Sequence, residues 1–158
     1  MTVFRSPLAR FVPFLAALAL TACSGTGSPS PTAAGGGGGA SSGSGTTVNV
    51  TLSEFKVELD KTEIPAGNVT FQVKNGGTIP HEFVVFKTDD AADALPTASD
   101  ENEVNEDDAS LTSMGEVEDV DPGASKSFSA DLEPGKYVAI CNVEGHYMSG
   151  MHIAFTVQ

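Results

Sequence analysis

From Thr47 onward apolar and polar residues alternate with a period of two. Val48, Val50 and Leu52 make one such run, Phe55, Val57 and Leu59 a second, and Val69, Phe71 and Val73 a third. Further apolar segments cover Phe83 to Phe86, Phe128 to Leu132, Tyr137 to Cys141 and Ile153 to Val157. Successive side chains of a strand point to opposite faces, so β-branched and aromatic residues at every second position mark strands with one buried face. Turn signals separate the runs: Pro65-Ala66-Gly67, Asn75-Gly76-Gly77, Asp121-Pro122-Gly123 and Glu133-Pro134-Gly135. Many short strands at this spacing predict an all-β domain, an antiparallel sandwich or barrel. No long stretch has a helical period and no internal repeat is visible. Asp89 to Ser113 breaks the strand pattern and is expected to hold a short helix or a loop.

The first 46 residues follow different rules. Arg5 and Arg10 precede the apolar run Phe11 to Ala22, which is too short to span a bilayer as a mature helix and fits a secretion signal. The run ends in Leu20-Thr21-Ala22-Cys23, which resembles the lipobox of bacterial lipoproteins, in which the cysteine is lipidated and becomes the first residue. An ordinary signal cleaved after Ala17-Leu18-Ala19 is the alternative. Ser24 to Thr46 is rich in Gly, Ser, Pro and Thr and cannot bury enough apolar surface to fold. As a flexible coil it would span roughly 25–30 Å on average. The expected organisation is a signal peptide over 1–22, a lipidated Cys23 with a flexible linker over 23–46, and one folded domain over 47–158. The expected location is the cell envelope, on the periplasmic or extracellular face of a membrane.

Charge narrows the partners. The chain has 158 residues, 21 of them acidic and eight Lys or Arg; a chain beginning at Cys23 would keep six of those eight and carry a net charge of −15. Such a surface repels nucleic acid, and the lack of Trp with only two Tyr argues the same way. A cationic protein is the better-matched partner, although acidity can also serve solubility alone. Thirteen acidic residues and no basic ones lie between Lys87 and Lys126. A solvated loop is favoured there over a docking surface. An EF-hand fits poorly, since Val104 stands at its third ligand position.

The candidate chemistry sits in Cys141-Asn142-Val143-Glu144-Gly145-His146-Tyr147-Met148-Ser149-Gly150-Met151, between two predicted strands. One loop thus delivers a thiolate, an imidazole and a thioether. Soft sulfur with imidazole suits copper, and two His with one Cys and a weak axial Met is the electron-transfer geometry. His81, opening a strand after Ile79-Pro80, is the second imidazole.

These residues resemble the ligand segments of the cupredoxins, the plastocyanin-, azurin- and auracyanin-like blue copper proteins. The family pattern is Cys, a short gap, Gly-His or Pro-His, a short gap, Met. Here both gaps are four residues, the first of azurin-like length. Pro80-His81 and Leu132-Glu133-Pro134-Gly135-Lys136-Tyr137 match further family marks. The resemblance covers Thr47 to Gln158. It implies a Greek-key β-sandwich and one type 1 copper ion held by His81, Cys141, His146 and Met151. It also implies single-electron transfer, with the edge of His146 as exit; that edge is expected to be exposed and ringed by Pro80, Tyr147 and Met148. Two positions depart from the pattern: Glu82 stands where plastocyanins place an Asn that ties the ligand loops, and Glu144 where Pro is frequent.

Met148 is the rival axial ligand, two residues past His146, and is expected to face solvent or a docking patch. His152 is expected on the strand face opposite Met151. A Cys23–Cys141 disulfide is the plain alternative for the two cysteines. A copper store or chaperone is the second functional class, but four Met and three His offer few exchangeable ligands. Three His cannot build the second copper centre of an oxidase or nitrite reductase, so a carrier rather than an enzyme is expected. It is expected to be monomeric and to exchange electrons with redox proteins.

Overall fold

The computed structural model describes residues 45–98 and 102–158. The expected signal peptide, Cys23 and all but the last two residues of the expected linker lie outside the described residues. The described residues form nine strands: β1 Thr46–Ser53, β2 Lys56–Leu59, β3 Glu63–Ile64, β4 Gly67–Asn75, β5 His81–Lys87, β6 Thr112–Val120, β7 Ser125–Leu132, β8 Gly135–Ile140 and β9 His152–Val157. Among them there is no helix. β1 starts one residue before the expected domain boundary, with Thr46 opposite Val69.

Two sheets carry the fold, one in the order β2-β1-β4-β7 and one in the order β3-β9-β8-β5-β6. From β4 to β8 the chain passes between sheets so that β4 pairs with β7 and β5 with β8, a Greek-key path. The alternating residues face inward as their period requires. Val48, Val50 and Leu52 of β1 meet Val69, Phe71 and Val73 of β4, and the opposite sheet contributes Phe83, Val85, Tyr137, Ala139 and Phe155. Phe71 is the aromatic centre, with ring centroids 5.2 Å from Phe128 and 5.6 Å from Phe83. The sheets are mixed rather than purely antiparallel, because β1 runs parallel to β4 and β3 parallel to β9.

Three features differ from the expectation. Phe55 lies in the turn between β1 and β2, 44% exposed, instead of inside a strand. The second half of the acidic insert is a strand, β6, at the edge of its sheet. Only Val117 and Val120 of β6 are buried, so its acidic residues mask the alternation, and they also discourage pairing with another chain. Its Gly115 has φ +136° and lies so close to Phe128 that a Cβ would be 2.8 Å from the ring.

The first half of the insert is also more than a solvated loop. Leu95, Val104 and Leu111 are buried against Val84, Phe86, Val138 and Ile140 on the outer face of the five-stranded sheet. β5 and β8 are therefore apolar on both faces, which explains the unbroken apolar runs Phe83 to Phe86 and Tyr137 to Cys141.

Candidate metal centre

The site forms at one end of the sandwich, where neighbouring strands deliver residues from opposite chain directions. His81 is the first residue of β5, and Cys141 directly follows β8, its antiparallel neighbour. The loop before His81 is organised by Asn75, which is fully buried. Its side-chain amide donates to the carbonyls of Ile79 and Val120, at 2.7 Å each, and its Oδ1 accepts from the amide of Gly77 at 2.8 Å. In sequence Asn75 read only as part of a turn.

The second ligand segment is closed at its neck, where the Cys141 amide donates to the Met151 carbonyl at 3.0 Å. Within the loop the amides of His146, Ser149 and Gly150 close successive turns. Gly145, at φ +78°, takes a left-handed conformation suited to glycine and directs its amide outward, to Asn102 of the insert.

This framework brings three donor atoms together. The Nδ1 atoms of His81 and His146 are 3.3 Å apart, and the Cys141 sulfur lies 3.3 Å from His146 Nδ1 and 3.8 Å from His81 Nδ1. A point in the plane of such a triangle is about 2.0 Å from all three atoms, which is a bonding distance for a first-row metal on imidazole nitrogen and close to one on thiolate. The three donors are already spaced so that one ion could be held by all of them. All three residues are buried. Burial holds both imidazoles below their ordinary pKa and the Cys141 thiol above its own. Burial thus favours the neutral, metal-binding form of both imidazoles, and the thiol would give up its proton to a metal. The Glu82 amide points at the Cys141 sulfur from 3.3 Å and favours the thiolate that results. His81 Nε2 is buried with no hydrogen-bond partner among the described residues, so Nδ1 is the nitrogen committed to the cluster.

A family model described as a cupredoxin-like domain matches residues 14–154. The chain belongs to the cupredoxin family. Among solved structures it is similar to dithionite-reduced auracyanin from the photosynthetic bacterium Roseiflexus castenholzii, at 23% identity and a TM-score of 0.52, over 72% of this chain and 97% of that one. Auracyanin B matches at 24% identity and a TM-score of 0.51, over 72% and 88% of the two chains. Rusticyanin from Thiobacillus ferrooxidans matches at 18% identity and a TM-score of 0.50, over 73% and 79%. At these identities the likeness establishes the fold. No curated protein matches this chain.

The donor set of this cupredoxin fits the single type 1 copper ion that the family implies. Two neutral imidazoles and a shielded thiolate are soft enough for copper, and hard oxygen donors are absent from the described triad. Met151 is fully buried in the same apolar core as Cys141. Met148, the rival, is 61% exposed. His152 lies outside the triad with its ring 5.3 Å from that of Tyr147. Cys141 is a free thiol.

The rim departs from expectation at Tyr147 and in the burial of His146. Tyr147 does not ring His146; it turns inward, is 4% exposed, and fixes the insert. Its hydroxyl donates to the Ala92 carbonyl at 3.0 Å and accepts from the Leu95 amide at 2.8 Å. Asn142 joins in, accepting from the Val104 amide at 2.8 Å and donating to Glu106 at 2.7 Å. The place beside His146 is taken by Phe55, whose ring meets the imidazole edge-on at 5.2 Å. Contrary to the expected exposed edge, His146 is only 7% exposed, with Phe55 packed against it. Nothing in the sequence pairs Phe55 with the ligand loop, because the contact joins residues 91 positions apart across a turn.

Glu82 stays beside the ligands but faces the insert. Its carboxylate gathers with those of Glu106 and Glu116, and its pKa is pushed up to about 7 by burial and by the charges of Glu106, Glu116, Glu118 and Glu103.

Proposed function

We propose that this cupredoxin is a type 1 copper electron carrier that shuttles single electrons at the extracytoplasmic surface of a membrane. The observation that carries the reading is the triangle of His81 Nδ1, His146 Nδ1 and Cys141 Sγ, with sides of 3.3, 3.3 and 3.8 Å. In this reading His81, Cys141, His146 and Met151 would hold the ion. Copper, when bound, supplies one-electron redox chemistry. The protein supplies a fixed donor geometry that little reorganises, excludes water by burying every ligand, and offers the amide of Glu82 to the sulfur. These are the properties of a carrier; the reading assigns the chain no catalysis.

Export and a lipid anchor on Cys23 belong to the same proposal and rest on the Leu20-Thr21-Ala22-Cys23 segment and the linker that follows it. A monomeric carrier belongs to it too, as do cationic redox partners, which rest on the net charge of −15 that a chain beginning at Cys23 would carry.

The deciding experiment is a copper(II) titration of the exported protein followed by visible absorption. One equivalent should raise an intense charge-transfer band, and Cys141→Ser should abolish it, because the transition starts on the sulfur. A protein that stays colourless with copper, or a coloured Cys141→Ser variant, would overturn the assignment.

A further inference from the structure

In this cupredoxin Glu82 occupies the position from which a side chain could tie the two ligand segments together, and its carboxylate is turned to the acidic insert instead. A different element touches both segments. The β1–β2 turn, Ser53 to Lys56, approaches the site from the four-stranded sheet. The Glu54 carboxylate accepts from the Thr78 amide, from the Thr78 hydroxyl at 3.1 Å and from the Ile79 amide at 3.1 Å, all in the loop that leads into His81. Gly77 is part of the same fit, since a Cβ there would lie 2.6 Å from the carboxylate. The end of β1 is bound to that loop a second time, by the Gly76 amide donating to the Leu52 carbonyl at 2.8 Å. The next residue, Phe55, sets its ring edge-on to His146 at 5.2 Å.

We propose that Glu54 and Phe55 are positioning residues for the copper site. Glu54 grips the segment that delivers His81 and Phe55 abuts the imidazole of His146, so one turn braces both ligand segments from outside. The physical basis is preorganisation: ligands held from outside at their bonding separation lose less freedom when an ion enters. A carboxylate accepting two backbone amides restrains the loop it grips, and an aromatic edge contact favours one orientation of the ring it meets. Neither residue serves the hydrophobic core, as both lie exposed in the turn. The inference rests on the copper reading.

The test compares Phe55→Ala, Glu54→Ala and the double variant with the unaltered protein. First, the unaltered protein must show the copper band; its absence defeats the copper reading, not this inference. With the band present, each single variant should keep one copper but release it to a chelator about fivefold faster, the factor that corresponds to roughly 1 kcal/mol. The copper band and the reduction potential should shift as well. Because both residues act through one turn, the double variant should change these quantities by less than the sum of the single effects. Phe55→Tyr and Glu54→Gln, which retain a ring and an acceptor, should restore most of the behaviour and guard against an unfolded Ala variant. In the metal-free protein, NMR should show contacts between the Phe55 and His146 rings, and Glu54→Ala should weaken them. Unchanged release and potential in both single variants, or strictly additive effects in the double variant, would overturn the proposal.

Discussion

The hydroxyl of Tyr147 lies 2.8 Å from the amide nitrogen of Leu95, joining the residue after a candidate ligand to the middle of an acidic insert 52 positions away. Both partners are buried. The insert is thereby fastened to the ligand loop as well as to the outer sheet face, with Asn142 and Gly145 adding further bonds. Tyr147→Phe leaves the ring in place but strands the Leu95 amide and the Ala92 carbonyl. Urea denaturation of the metal-free protein should show a loss of about 1–3 kcal/mol, the cost of leaving buried polar groups unmet. A loss below about 0.5 kcal/mol, the range of an ordinary surface change, would show that the insert is not held through this residue.

Met151→Gln should keep copper and lower the reduction potential. A long axial bond contributes little affinity, whereas an oxygen donor favours copper(II) over copper(I). Voltammetry of both methionine variants decides between the two candidates. A shift on Met148→Gln with none on Met151→Gln would move the axial role to Met148, against its 61% exposure.

Acid should weaken the grip of Glu54. The Thr78 amide, first among its partners, helps hold the Glu54 carboxyl down at about 2 from an ordinary 4.5. A carboxylate whose pKa is depressed by folding adds stability above its unfolded value, and that stability disappears as pH falls through the folded one. The gap in unfolding free energy between the unaltered protein and Glu54→Gln should therefore stay constant from pH 7 to 5 and close between pH 4.5 and 2. Denaturant titrations of the metal-free proteins at several pH values measure it. A gap that stays flat across that range would mean the carboxylate charge plays no part.

Salt should slow electron exchange with a cationic redox protein. The chain carries a formal charge of −13, and attraction between opposite charges raises the encounter rate until ions screen it. Stopped-flow mixing over a range of ionic strength reads the slope. A rate that is flat or rises with salt would exclude a cationic partner for this surface.

How much of this was legible in the sequence depends on how local each relationship is. Val48-Val50-Leu52 and Val69-Phe71-Val73 face a core on one side only, so their alternation reveals β1 and β4 directly. Cys141, His146 and Met151 share one loop, so their spacing exposes the chemistry. β6 escaped because seven of its nine residues are not buried and the apolar signal shrinks to Val117 and Val120. Tyr147 and Phe55 were misplaced for a different reason. The first looks inward only because Ala92 and Leu95 wait there, and the second sits in a turn that ends beside His146. Such partners are brought together by the closed sandwich, and no local period encodes them. The parallel pairing of β1 with β4 likewise depends on the whole path of the chain.

That parallel pairing also gives the domain a polarity. β4 runs toward Asn75 and the ligands, so β1 must run the same way, and Thr46 enters it at the far pole. Whatever precedes Thr46 leaves the domain from the end remote from His81, Cys141 and His146. Under the proposed anchoring through Cys23, the metal site would be presented at the pole opposite the one where the chain enters β1.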